Sequence, residues 1–211
     1  MSTIKNIVFD LGGVIIDLDL TRSIQRFEKL GLKQGEILDP YEQRGIFLEL
    51  ERGQIDLAEF CRILSRHAGR ELSIKEVEHA WMGFIVDVPQ YKLDYILALR
   101  KTHKVYLLSN TNSVIYDWAQ TPAFSPAARP INCYFDAIYV SYKIGLTKPD
   151  PSIFEYMLND SAILASETLF IDDGERNIAV ARSLGMQTYQ PRNGEDWREA
   201  VGTLINPRSS R

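Results

Sequence analysis

Four short apolar runs, each closed by polar residues, punctuate the chain: "IVFD" at 7–10, "VYLLSN" at 105–110, "AIYVS" at 137–141 and "TLFIDD" at 168–173. Unbroken runs rich in Val, Ile, Phe and Tyr suit parallel strands covered on both faces. Helical spacing lies between them. "YKLDYILALRKTH" turns Leu93, Ile96, Leu97 and Leu99 to one side, and "RNIAVARSLG" groups Ile178, Ala181 and Leu184. Gly185 then stands where a left-handed residue stops a helix. "MQTYQP" reads as a further short strand. The alternation predicts an α/β fold, a doubly wound (Rossmann-like) parallel sheet.

The segment from about Asp17 to Pro89 breaks this rhythm. "TRSIQRFEKLG", "GIFLELERG", "LAEFCRILSRHAG" and "IKEVEHAWMGFI" carry helical spacing, and no strand-like run interrupts them. The expectation is a small helical cap inserted after the first strand, with 1–16 and 90–211 as the core domain and 17–89 as the cap subdomain. Asp17 and Asp19 are expected to cap a helix starting near Leu20. Tyr41, Trp81 and Phe84 are expected to form the cap's own core rather than a pocket. His67, His79 and His103 fall on predicted helices away from the strand ends. The Pro- and Ala-rich stretch "AQTPAFSPAARPINC" at 119–133 reads as a long surface loop.

Composition changes the picture in two places. The 211 residues are 45% hydrophobic and 25% charged, which is ordinary for a globular chain with one good-sized core. The net charge of −4 provides no long-range attraction for nucleic acid or an anionic membrane. A phosphorylated ligand therefore needs local cations. Cys61 and Cys133 form no metal-type or redox-type pair and suit a reducing cytosol. The start "MSTIKN" lacks a signal-peptide apolar stretch, and no run reaches membrane-spanning length. A cytoplasmic protein is expected, a monomer or weak homodimer whose partner is a small phosphorylated substrate, with no nucleic acid and no membrane.

Open parallel sheets bind ligands beyond the carboxyl ends of their strands. That rule gathers Asp10, Ser109, Asn110, Asp172 and Asp173, together with Lys148 from the "GLTKPD" loop, into one crevice. Three ionised carboxylates need a cation between them. Hard oxygen donors without clustered Cys or His point to Mg²⁺ rather than zinc. Lys148, Ser109 and Asn110 can hold phosphate oxygens, and Asp10 can act as a nucleophile through an aspartyl-phosphate. Singly, each feature has a plainer reading. Asp-x-Gly is usually a turn, Ser-Asn a cap, Pro149 and Pro151 a helix start, and Asp172-Asp173 a favourable charge at a helix dipole. Four such features at four strand ends outweigh those readings together.

The ordered set "FDLGGV", "LLSNTN", "GLTKPDPSIF" and "FIDDGERNI" resembles the haloacid dehalogenase-like (HAD) hydrolase superfamily over essentially the whole chain, with a type-one cap. "ERGQID" and "LLSNTN" are most similar in look to bacterial α-D-glucose-1-phosphate phosphatases. The resemblance implies Asp10 as nucleophile, Ser109 and Asn110 as phosphate ligands and Lys148 as the neutralising cation. It implies Mg²⁺ held by Asp10, the backbone carbonyl of Gly12 and Asp173, with Asp172 in support. Asn177 either orients a metal-bound water or faces solvent.

One position departs from the family's phosphatases. They carry a second aspartate, a general acid–base, two residues after the nucleophile, where this chain has Gly12. Losing a positioned proton donor costs about 10²–10⁴-fold in rate. The expected enzyme is therefore a slow or leaving-group-selective phosphatase of a sugar phosphate or related metabolite. A 2-haloacid dehalogenase would need no metal and leaves the acidic pair unexplained. A phosphomutase would need the missing aspartate even more. A catalytically weak phosphometabolite-binding protein is the remaining alternative.

Overall fold

A computed structural model describes residues 3–32 and 45–206, so the expectation for Tyr41 lies outside the described residues. The chain runs through β1 (Asn6–Phe9), β2 (Asp17–Leu18), α1 (Leu20–Lys29), α2 (Ile46–Glu51), α3 (Leu57–Ala68) and α4 (Ile74–Trp81). Next come β3 (Ile85–Asp87), α5 (Gln90–Leu99), β4 (Lys104–Ser109), α6 (Ser113–Ala119), β5 (Ala137–Val140) and α7 (Ser141–Ile144). It closes with α8 (Pro151–Asp160), β6 (Thr168–Ile171), α9 (Glu175–Ser183), β7 (Gln187–Tyr189) and α10 (Arg198–Ile205).

Five strands form one sheet in the order β5-β4-β1-β6-β7, with every pair parallel. The unbroken apolar run of β1 has a direct cause. Ile7 and Phe9 pack on one face with Leu93 and Ile96 of α5 and Val201 and Ile205 of α10. Val8 packs on the other face with Ile153, Phe154 and Met157 of α8 and Ile178 and Ala181 of α9. Both faces are dry, so neither residue parity is polar. This is the doubly wound architecture predicted from the pattern. Pro151 opens α8 behind the Asp150 cap, and Gly185 follows α9 at φ 91°.

The inserted helices build a separate core. Phe27, Phe47, Phe60 and Trp81 meet largely edge to face, with centroid separations of 5.7 Å for Phe27–Phe47, 5.8 Å for Phe27–Trp81 and 5.0 Å for Phe47–Phe60. Phe84 stacks 5.2 Å from Trp81, so both residues serve that core as expected. Val114 of α6 also joins the cluster.

Four local expectations need correction. The inserted segment is not free of strands, because β2 and β3 pair antiparallel as a short ribbon at its two ends. Two or three residues leave no period to read. We place the cap at 17–89 on this ribbon. Asp19 caps α1, accepting from the Thr21 and Arg22 amides, but Asp17 does not; it accepts from Lys92 Nζ at 2.8 Å. The 119–133 stretch is not simply a surface loop, since Phe124 and Ile131 are buried in the core and pin two 3₁₀ turns, Pro122–Phe124 and Ile131–Cys133. His103 lies in the turn between α5 and β4, bonded to Thr102, whereas His67 and His79 sit in the last turns of α3 and α4.

Candidate active site

Each strand of the sheet's centre delivers a polar residue at its carboxyl end. Asp10 follows β1, Ser109 ends β4, and Asp172 and Asp173 follow β6. Because β1 pairs β6 in register, Phe9 beside Ile171, the carboxylates after them are brought to the same height. Ligand atoms of Asp10, Asp172 and Asp173 lie within 4.8 Å of one another. Lys148, on the loop after α7, reaches into this acidic group with its side chain only 1% exposed. Its Nζ lies 2.9 Å from Asp10 Oδ1 and donates to Asp172 Oδ2 at 2.6 Å and the Leu108 carbonyl at 2.9 Å. All three donors of the ammonium are thereby committed.

The roles of the three carboxylates separate through their partners. Asp172 is fully buried, and its remaining oxygen accepts from the Gly174 amide at 2.8 Å and Asn177 Nδ2 at 2.9 Å. It is saturated and holds Lys148 in place. Asp10 Oδ1 also accepts from the Leu11 amide at 2.7 Å, while Oδ2 accepts no hydrogen bond among the described residues. Asp173 is the most open of the three. Asp10 and Asp173 thus keep oxygens open that Asp172 does not.

Burial raises the Asp10 carboxyl to about 7; Lys148 opposes the rise, and Asp172 and Asp173 add to it. Burial and the Asp172 charge lift Asp173 as well. Lys148, which burial alone would discharge, is held above its ordinary value by Asp10 and Asp172. Three acids and one ammonium leave an excess of negative charge that a hard divalent cation would balance. The donor set therefore fits Mg²⁺.

The Gly12-Gly13 pair after β1 has a steric cause. Gly13 sits at φ 72°, and a Cβ there would lie 2.0 Å from Asp173 Oδ2. A Cβ on Gly12 would meet Leu18 Cδ1 at 2.9 Å. The first loop is pressed against the last motif on one side and the β2 strand on the other.

Asn110 is placed beside the site, but its side-chain amide is tied to the Lys148 backbone, donating to the carbonyl and accepting from the amide, each at 2.8 Å. Its side chain holds the lysine loop in place. Asn177 is half-buried, and its Nδ2 bond at 2.9 Å orients Asp172. Leu108 was not anticipated at all, because a backbone carbonyl leaves no mark in the sequence. Asn177 and Gly174 were within reach of the sequence, lying one turn and one residue beyond the acidic pair.

Fold and site together define an α/β hydrolase with an acidic centre suited to a cation at the head of its sheet. Residues 4–185 match the model of the haloacid dehalogenase-like hydrolases, and the chain belongs to that family. It is 50% identical over 204 residues to the D-ribitol-5-phosphate phosphatase of Bacteroides thetaiotaomicron, covering 96% of this chain and 99% of the relative. A predicted HAD-like family hydrolase from Porphyromonas gingivalis superposes with a TM-score of 0.93 at 44% identity, covering 97% of this chain and 98% of that one. A HAD family enzyme from Bacteroides thetaiotaomicron, solved with magnesium and inorganic phosphate, gives 0.85 at 42% identity over 93% of this chain and 98% of that one. Among the described residues no helix is long and apolar enough to cross a membrane.

Proposed function

We propose that the chain is a Mg²⁺-dependent phosphatase that hydrolyses a small phosphorylated sugar or sugar alcohol through a phosphoryl group carried on Asp10. One observation carries this reading: an open Asp10 oxygen stands in a cluster of three carboxylates around a buried lysine. Asp10 Oδ2 attacks phosphorus, the bond from phosphorus to the leaving oxygen breaks, and the alkoxide takes a proton from solvent because Gly12 offers none. Water then attacks the phosphoaspartate, releasing inorganic phosphate and restoring the carboxylate. Lys148 keeps Asp10 oriented and counters charge on the phosphoryl oxygens, with Ser109 beside it. Bound Mg²⁺, held by Asp10, Asp173 and the Gly12 carbonyl, would supply further charge neutralisation.

Support for the substrate class comes from the relative that acts on D-ribitol 5-phosphate, which shifts the expectation away from α-D-glucose 1-phosphate. A metal-free dehalogenase would leave the three clustered acids without a use. Cys61 and Cys133 are both free, which supports a cytoplasmic placement. The test is a phosphate-ester panel with Mg²⁺ containing D-ribitol 5-phosphate, α-D-glucose 1-phosphate and acetyl phosphate. Asp10→Asn should abolish turnover with the fold intact, and EDTA should silence the wild type. Hydrolysis that survives Asp10→Asn refutes the nucleophile; ligand-induced thermal shifts without phosphate release identify a binding protein instead.

A further inference from the structure

The stretch from Gln190 to Trp197 looks like a polar surface loop, yet it bonds the last motif at Asp173, the segment after the first motif at Val14, and β2. Gln190 Nε2 donates to the Asp173 carbonyl at 3.0 Å, and the fully buried Trp197 indole donates to the Val14 carbonyl at 2.8 Å. Between them Asn193 bonds β2 at both backbone groups of one residue. Its Oδ1 accepts from the Leu18 amide at 2.9 Å, and its Nδ2 donates to the Leu18 carbonyl at 2.8 Å. A side-chain amide thus completes the hydrogen bonding of a strand edge that a third strand would otherwise occupy. Arg192 and Glu195 close the loop that presents it, with Tyr189 bonded to the Glu195 carboxylate.

A second grip lies one residue earlier. Lys92 of α5 is fully buried and its ammonium is bonded to Asp17 Oδ1. A buried ammonium held by one carboxylate does not shift cheaply. The two grips fix Asp17 and Leu18, and the Leu18 side chain reaches the space a Gly12 side chain would take, with Cδ1 2.9 Å from a Cβ built there. In the mechanism above, that space borders the leaving oxygen.

We propose that Asn193 is a positioning residue for phosphate-ester turnover: by clamping β2 to the core domain it sets Leu18 over Gly12 and the cap over the leaving group. This inference rests on the phosphatase reading for its kinetic consequence and on the hydrogen bonds alone for the clamp. Truncation should therefore penalise substrates whose leaving group fills the space below the cap and spare those with almost none.

The test compares Asn193→Ala and Asn193→Asp with wild type, all loaded with Mg²⁺, on D-ribitol 5-phosphate and acetyl phosphate. Losing two hydrogen bonds of ordinary net strength predicts about a tenfold loss of kcat/KM on the sugar-alcohol ester for Asn193→Ala. Turnover of acetyl phosphate should stay within about twofold of wild type, because its small leaving group makes little use of the cap. Asn193→Asp sets a carboxylate oxygen against the Leu18 carbonyl in place of the donor, so it should lose at least as much as Asn193→Ala. Equal losses on both substrates, or none on either, overturn the positioning role. Amide exchange is read in parallel: Leu18 and the β3 residues should exchange faster in Asn193→Ala while β1 and β6 keep their protection. Unchanged exchange at Leu18 overturns the clamp. If wild type hydrolyses no ester, the phosphatase reading falls and the exchange result alone decides the clamp.

Discussion

Replacing Gly13 by alanine separates two effects that usually travel together. The backbone at φ 72° disfavours any side chain, and the new Cβ would lie 2.0 Å from Asp173 Oδ2 and 2.6 Å from its Cγ. Ordinary contact begins near 3.4 Å, so the Asp173 carboxylate must retreat by more than an ångström. The backbone penalty alone is about 1–2 kcal/mol. Gly185→Ala measures that penalty in isolation, because Gly185 has φ 91° and nothing lies within 4 Å of its Cβ position. Displacing a metal ligand by about 1 Å adds a functional loss on the order of 10²-fold. The expectation is that both variants lose similar stability in EDTA, whereas only Gly13→Ala loses Mg²⁺-induced thermal stabilisation and phosphatase turnover. Calorimetry with a Mg²⁺ titration, beside a phosphate-release assay, measures both quantities. Gly13→Ala with wild-type Mg²⁺ affinity and turnover within about threefold would refute the assignment of Asp173 as the displaced ligand.

The remaining predictions concern charge. In metal-free protein the Asp10 carboxyl is raised from 3.8 to about 7, so the folded state holds a proton that the unfolded state releases. Its contribution therefore makes stability fall as pH rises from about 4 to about 7, then level off. Melting wild type against Asp10→Asn in EDTA across that window checks the sign, and a pH-independent difference contradicts it. Mg²⁺ stabilisation should grow over the same window, since the metal needs the ionised carboxylate. Asn177→Ala removes a 2.9 Å bond to buried Asp172 and should lower stability by about 1–3 kcal/mol while changing turnover less than Asp10→Asn does. Turnover as dead as Asp10→Asn, in a folded protein, would mean Asn177 does more than orient Asp172.

The sheet and the residues at its strand ends were legible because both are written in local pattern. An apolar run ending in Asp, with two glycines behind it, signals a strand that stops at something polar and close, and Gly13 against Asp173 is that closeness. What stayed hidden depends on distant partners. Asp17 looked like a cap because a cap is local, and its lysine lies 75 positions away. Asn110 looked like a phosphate donor because nothing near it in sequence shows the Lys148 backbone 38 positions on. Asn193 carries no motif; two hydrogen bonds to Leu18 give it a place beside the site.

The central place of β1 in the sheet has a consequence for biosynthesis. Both of its neighbours, β4 and β6, are made later, and the second is complete only at Ile171. β1, apolar but for Asn6, must therefore wait without its partners until more than 160 further positions, through Ile171, have been made. The cap's contacts fall within a much shorter stretch, so that piece can condense while the nucleophile's own strand is still an orphan. Nascent chains stalled before Ile171 should accordingly be the aggregation-prone, chaperone-dependent species of this protein.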